Sequence, residues 1–123
     1  MPDLALGLVT DCVFDVPAIW FDTPFATYFS AMHFSCVTHV RKPDSRAYLG
    51  VLETLEITPS DALFVGDGGS DELNGATRAG IDALMIDDVD GSGVDMLRVG
   101  FVEWGGPSVK SMADITRYIR ESA

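Results

Sequence analysis

Apolar residues in this chain gather into short continuous runs, separated by longer stretches with a helical beat. Leu4-Ala5-Leu6-Gly7-Leu8-Val9 ends at Thr10-Asp11, as a parallel strand buried on both faces would. Ala62-Leu63-Phe64-Val65, ending at Gly66-Asp67, and Ala83-Leu84-Met85-Ile86 repeat the pattern. Phe34 to Val40 alternates and is β-prone, which predicts another strand. Phe101 to Trp104 predicts a last, edge strand.

The intervening segments read as helices and turns. Asp15-Val16-Pro17 resembles a helix start with proline in the first turn. The aromatic-rich stretch from Ala18 to Met32, broken at Pro24, predicts two short helices. Lys42-Pro43-Asp44-Ser45 turns into a helix with Tyr48, Leu52 and Leu55 on one face, and Thr58 to Asp61 turns again. After Gly68-Gly69-Ser70, a helix is predicted from about Asp71 to Ala79, with Gly80 as its left-handed cap. Ser111 opens a C-terminal helix with Asp114 in the capping-box position and Met112, Ile115 and Ile119 on its apolar face.

Strands alternating with helices predict an α/β fold, a Rossmann-like, mainly parallel sheet with flanking helices. The 123 residues fit a single domain, 1–123. Ligands of such sheets bind beyond the C-terminal strand ends, and Thr10, Lys42 and Asp67 all fall at or just after predicted strand ends.

Composition narrows the partners. The net charge of -11 argues against nucleic acid, which needs clustered Lys and Arg, and against an anionic membrane surface. A small phosphorylated molecule is compatible where a local cation offsets the acidic field, and Lys42 and Lys110 are the only lysines. The N-terminus has no signal-peptide pattern, and no apolar run approaches the ~20 residues of a membrane span, so a cytoplasmic location is expected. Cys12 and Cys36 form no C-x-x-C pair. Zinc and dithiol redox chemistry therefore have no support, and both cysteines are expected to be reduced, partly buried small hydrophobes.

The candidate chemistry lies in three places. Asp67 and Asp71 flank a glycine-rich turn, a pattern suited to a hard cation such as Mg²⁺; a tight turn with Asp71 as a plain helix cap is the plainer reading. Lys42, held by an X-Pro turn, could meet a phosphate oxygen or simply be solvated. Thr10 could bind a phosphate oxygen or satisfy its own turn. Asp88-x-Asp90-x-Ser92-Gly93 matches half of a calcium loop, but the twelfth position is Val99 where a bidentate Glu is needed. His33 and His39 read as ordinary strand-flanking residues, and Trp20 and Trp104 as packing residues.

Leu8-Val9-Thr10, then Lys42-Pro43-Asp44 before a helix, then Val65-Gly66-Asp67-Gly68-Gly69-Ser70-Asp71-Glu72-Leu73-Asn74-Gly75-Ala76 with Ala79-Gly80-Ile81, resembles the second, third and fourth motifs of the haloacid-dehalogenase-like (HAD) hydrolases. The resemblance covers about residues 4 to 88. It implies phosphatase-type chemistry with Mg²⁺. Thr10 and the adjacent Asp11 would lie on the phosphate, Lys42 would neutralise it and orient the nucleophile, and Asp67 and Asp71 would serve the metal. In that family an aspartate attacks the phosphoryl group, and water hydrolyses the aspartyl-phosphate.

The chain departs from the pattern at one point. The attacking aspartate belongs to an Asp-x-Asp motif on a strand upstream of the threonine, and no Asp-x-Asp precedes Thr10 here. The family's cap is absent too. The resemblance thus implies a HAD-like core without its first strand and cap, and an incomplete active site. The missing strand would lie between those ending at Thr10 and Asp67, so these must pair directly, recruit another chain or leave open edges. A homodimer or complementing chain is therefore expected. The alternative is a non-catalytic HAD-like binding or interaction module.

Overall fold

The computed structural model of the chain describes residues 4–87 and 103–122. Its elements are β1 (Gly7–Thr10), α1 (Asp15–Trp20), a 3-10 turn at Ala26–Tyr28, β2 (Ala31–Phe34), α2 (Ser35–Thr38) and α3 (Ser45–Leu55). A 3-10 turn at Pro59–Asp61 leads to β3 (Leu63–Gly66), and another at Gly69–Asp71 to α4 (Glu72–Arg78). Next come β4 (Asp82–Ile86), β5 (Ser108–Val109) and α5 (Met112–Ser122). Helices connect parallel strands, as the α/β reading requires.

The strands form two separate sheets, one of β1-β2 and one of β3-β4-β5. In the first, Gly7 pairs with Ala31 and Thr10 with Phe34. In the second, Leu63 pairs with Asp82 and Gly66 with Met85, while Met85 and Ile86 pair with Ser108 and Val109. Among the described residues β1 pairs only with β2 and β3 only with β4, so each has one edge without a strand partner.

Helix α3 bridges the two sheets. Asp44 caps it, accepting the Arg46 backbone N–H at 2.9 Å, and the Arg46 guanidinium beside it holds the Asp44 carboxyl down at about 2. The helix buries Ala47, Tyr48, Val51 and Leu52, a stripe at helical spacing. Gly7 comes so close to Val51 that a Cβ there would collide with it, so α3 lies directly on β1. On its other side Tyr48 joins Leu52, Leu73, Ala76, Ile81, Ala83 and Met85 in one core cluster. Helix α4 ends at Arg78, and Gly80 just beyond it, with a φ of 88°, is the left-handed residue that closes it.

Several expectations need correction. Leu4 and Leu6 are exposed and β3 is only half-buried, so those two runs mark strands that are not covered on both faces, whereas Ala83, Leu84 and Met85 of β4 are buried. The strand expected over Phe34 to Val40 lies instead at Ala31–Phe34, and Ser35–Thr38 is helical; pairing with β1 sets the strand's position, overriding local β propensity. Between Ala18 and Met32 there are α1 and one 3-10 turn, and then β2 already begins. Glu103 and Trp104 are not in a strand; β5 follows at Ser108. Met112 is exposed and α5 buries no residue, although Ser111 caps it by accepting the Asp114 N–H at 3.2 Å. The half calcium-loop pattern at Asp88, Asp90, Ser92 and Gly93, with Val99 at its twelfth position, lies outside the described residues. No described helix is long and apolar enough to cross a membrane.

Candidate functional site

The C-terminal ends of β1 and β3 converge on Lys42. Its backbone N–H donates to Asp11 Oδ1 at 3.0 Å, just beyond β1. Its ammonium donates to Glu72 Oε1 at 2.7 Å, at the start of α4, and lies 5.8 Å from the centre of the Phe64 ring on β3. The two side chains are only 12% and 6% exposed. The other Glu72 oxygen accepts the Gly68 backbone N–H at 2.9 Å. Both oxygens of this carboxylate are thus engaged, as a buried charge requires. Thr10 is the last residue of β1 and is half-buried.

The acidic loop owes its shape to strained backbone. Gly68, Ser70 and Asp71 all have positive φ, at 99°, 57° and 53°, the last two unusual for residues with a side chain. The loop therefore delays the helix by one residue and brings Glu72, rather than Asp71, to Lys42. Asp71 accepts from Asn74 Nδ2 at 2.8 Å and from Arg78 at 3.3 Å. Asp67 is exposed and accepts the Gly69 N–H at 3.0 Å. Among the described residues no three His, Cys, Asp or Glu side chains cluster to hold a metal ion. Asp67 and Asp71 do not by themselves make a magnesium shell, which needs about six oxygens.

Glu72 is the site residue that sequence reasoning missed. The signal was present, because the helical period that puts Leu73 and Ala76 on the core side puts Glu72 there too. Tyr48 braces it from α3, its hydroxyl donating to the Glu72 carbonyl at 2.7 Å. Burial, and then the Glu72 carboxylate, push the Tyr48 phenol well above its ordinary pKa. Gly75 lets α4 approach: a Cβ there would sit 2.6 Å from Pro43 Cβ and 2.7 Å from the Tyr48 hydroxyl.

On the β1 side, the Ser35 hydroxyl accepts the Cys12 backbone N–H at 2.9 Å. Cys12 and Cys36, which spacing did not link, lie with their sulfurs 3.7 Å apart. The register accounts for this, since each follows by two residues the paired Thr10 and Phe34. Burial, with the Cys12 thiol beside it, pushes the Cys36 thiol up from its usual pKa. His33 is buried on β2, its Nε2 at 2.7 Å from the Val40 carbonyl, and His39 is the left-handed cap of α2. Trp20 packs edge-on against Phe29, ring centres 5.5 Å apart, and Trp104 packs against the core cluster.

Comparison with solved structures places this geometry. L-2-haloacid dehalogenase from Xanthobacter autotrophicus superposes with a TM-score of 0.79 at 20% identity, over 99% of this chain and 57% of that one. A putative phosphoglycolate phosphatase from Lactobacillus plantarum gives 0.70 at 26% identity, over 93% and 52%. A putative HAD-hydrolase from Bacillus subtilis, bound to magnesium, gives 0.70 at 17% identity, over 94% and 49%. The chain therefore spans about half the length of these structures. A search of curated proteins found no match. The family model for haloacid dehalogenase-like hydrolases matches residues 19–86, more than half of the sequence and the run from the end of α1 through Lys42 and the acidic loop to β4, so this chain belongs to the haloacid dehalogenase-like hydrolase family.

Proposed function

We propose that this chain supplies one side of a phosphatase-type hydrolase site, which a further strand carrying the attacking carboxylate completes. The observation that carries the reading is the double anchoring of Lys42, to Asp11 through its backbone and to Glu72 through its ammonium, where β1 and β3 end, each with one edge unpartnered among the described residues. A preorganised cation at such a place stabilises charge that develops on a transferred group. In this reading Thr10, Asp11 and Lys42 face the phosphate of a small phosphorylated molecule. Lys42 offsets its charge and Glu72 keeps the ammonium in place. Asp67 and Asp71 belong to the metal side. Mg²⁺ would polarise the phosphoryl group, with Asp67 as one oxygen ligand and the others brought by the completing segment.

The completing strand would lie parallel between β1 and β3, on a segment outside these 123 residues. Its carboxylate attacks phosphorus, the alcohol leaves, and water cleaves the acyl phosphate. Halide displacement, the chemistry named for some structural neighbours, is less well supported. It gives no task to Asp67, a carboxylate beyond the one that holds the lysine. A cytoplasmic setting belongs to the same reading.

The test pairs the chain with a peptide strand bearing Asp-x-Asp and follows p-nitrophenyl phosphate with Mg²⁺ alongside 2-chloropropionate. Phosphate release is expected, falling at least about tenfold, a barrier change of about 1.4 kcal/mol, in Lys42→Met. Orthophosphate binding to the chain alone, lost in the same variant, supports the reading independently. Chloride release without phosphate release assigns the site to dehalogenation. Neither turnover nor orthophosphate binding leaves the chain as a non-catalytic module.

A further inference from the structure

We propose that Cys12 and Cys36 form a reversible disulfide, a redox modification site that resets the corner of Thr10, Asp11 and Lys42. The two sulfurs are already in van der Waals contact at 3.7 Å, although the residues lie 24 positions apart. The parallel register of β1 and β2 pairs Thr10 with Phe34, and each cysteine follows its paired residue by two positions. Both cysteines are half-buried and free, so a small oxidant can reach them. Closing the gap to the ~2.0 Å of an S–S bond asks for side-chain rotation and a small backbone adjustment.

That adjustment falls on the site. Cys12 follows Asp11, whose carboxylate holds the Lys42 backbone N–H. Cys36 follows Ser35, whose hydroxyl both accepts from the Cys12 N–H and reaches the Cys12 carbonyl at 3.4 Å. Drawing Cys12 toward Cys36 thus pulls on the segment that anchors Lys42. Where intracellular proteins carry disulfides, these are mostly transient and redox-sensing, and a pair bordering a site suits that use.

The oxidant is a low-molecular-weight disulfide of the glutathione class. One cysteine thiolate attacks it, giving a protein mixed disulfide and one small thiolate. The second cysteine thiolate then attacks the protein sulfur of that mixed disulfide and expels the other small thiolate. The protein gives up two electrons and two protons, and the small disulfide becomes two thiols. Reduction by excess small thiol runs the same steps backwards.

The link to catalysis rests on the phosphatase reading, whereas bond formation does not. The full chain is incubated with glutathione disulfide, alkylated and weighed intact, and its amide resonances are compared before and after. The expected result is loss of both thiols with no glutathione retained, and movement of the Asp11 and Lys42 amides that dithiothreitol reverses. Cys36→Ser should instead keep one glutathione adduct. Wild-type protein that keeps both thiols, or keeps stable adducts, overturns the proposal. So does a disulfide that leaves the Asp11 and Lys42 amides unmoved. Orthophosphate titrated into both forms separates the two claims: no binding to either form overturns the functional reading, while the disulfide and its effect on the two amides stand.

Discussion

Glu72→Ala is expected to destabilise the protein by about 3–5 kcal/mol, the usual cost of removing one partner of a buried ion pair. The pair qualifies as buried, with side chains 12% and 6% exposed. Alanine would leave the Lys42 ammonium without its carboxylate and the Gly68 N–H without its acceptor. The loss is a large share of the total stability of a domain this size, so urea unfolding of the alanine variant is best compared with two others. Glu72→Gln keeps an acceptor for Gly68 and should lose less. The double variant Lys42→Met with Glu72→Leu removes both charges and should be more stable than Glu72→Ala alone. A cost below about 1 kcal/mol for Glu72→Ala, the level of a surface pair, would mean that water screens this pair.

Tyr48→Ala should cost about 3–5 kcal/mol, as large aromatic truncations in a core do. Tyr48 is 2% exposed, meets the Phe64 ring edge-on at 5.2 Å and fixes the Glu72 carbonyl. It thereby ties α3, which covers the first sheet, to the start of α4. Tyr48→Phe isolates the hydroxyl and should cost about 1–3 kcal/mol, because the buried carbonyl loses its donor. The raised phenol pKa gives this pair a pH signature. Stability from the protonated phenol is complete below about pH 10, the unfolded value, and drains away as pH rises beyond it. The wild type should therefore lose its advantage over Tyr48→Phe in strong alkali. Equal midpoints for the two proteins at neutral pH would show that the hydroxyl contributes nothing.

What sequence patterns could reveal here follows from how local each determinant is. Helix α3 was legible because its cap at Asp44, its apolar stripe and its start after Pro43 all lie within a dozen residues. The unit β3-α4-β4 was legible for similar reasons, with Gly80 marking the helix end. Strand β2 was misplaced because its position is set by pairing with β1, some two dozen residues away, and Val37 and Thr38 suggested a strand where the chain is helical. At the site, Thr10 and Asp67 could be found as polar residues at strand ends, whereas Lys42, expected just after a strand, follows α2 instead. Glu72 was hidden behind two left-handed residues, Ser70 and Asp71, which shift the helix by one position. The meeting of Cys12 and Cys36 needed a register that no spacing rule encodes.

The split of the sheet has a consequence for how backbone amides trade their protons with water. Along a strand, successive N–H groups point alternately to opposite neighbours, and in β1 and β3 one of those neighbours is absent among the described residues. Deuterium should therefore enter these two strands in an alternating pattern, slow at amides facing β2 or β4 and fast at those between. Seating a strand from a second chain in the opening would slow the fast set and erase the alternation, whether or not the visitor brings any chemistry with it.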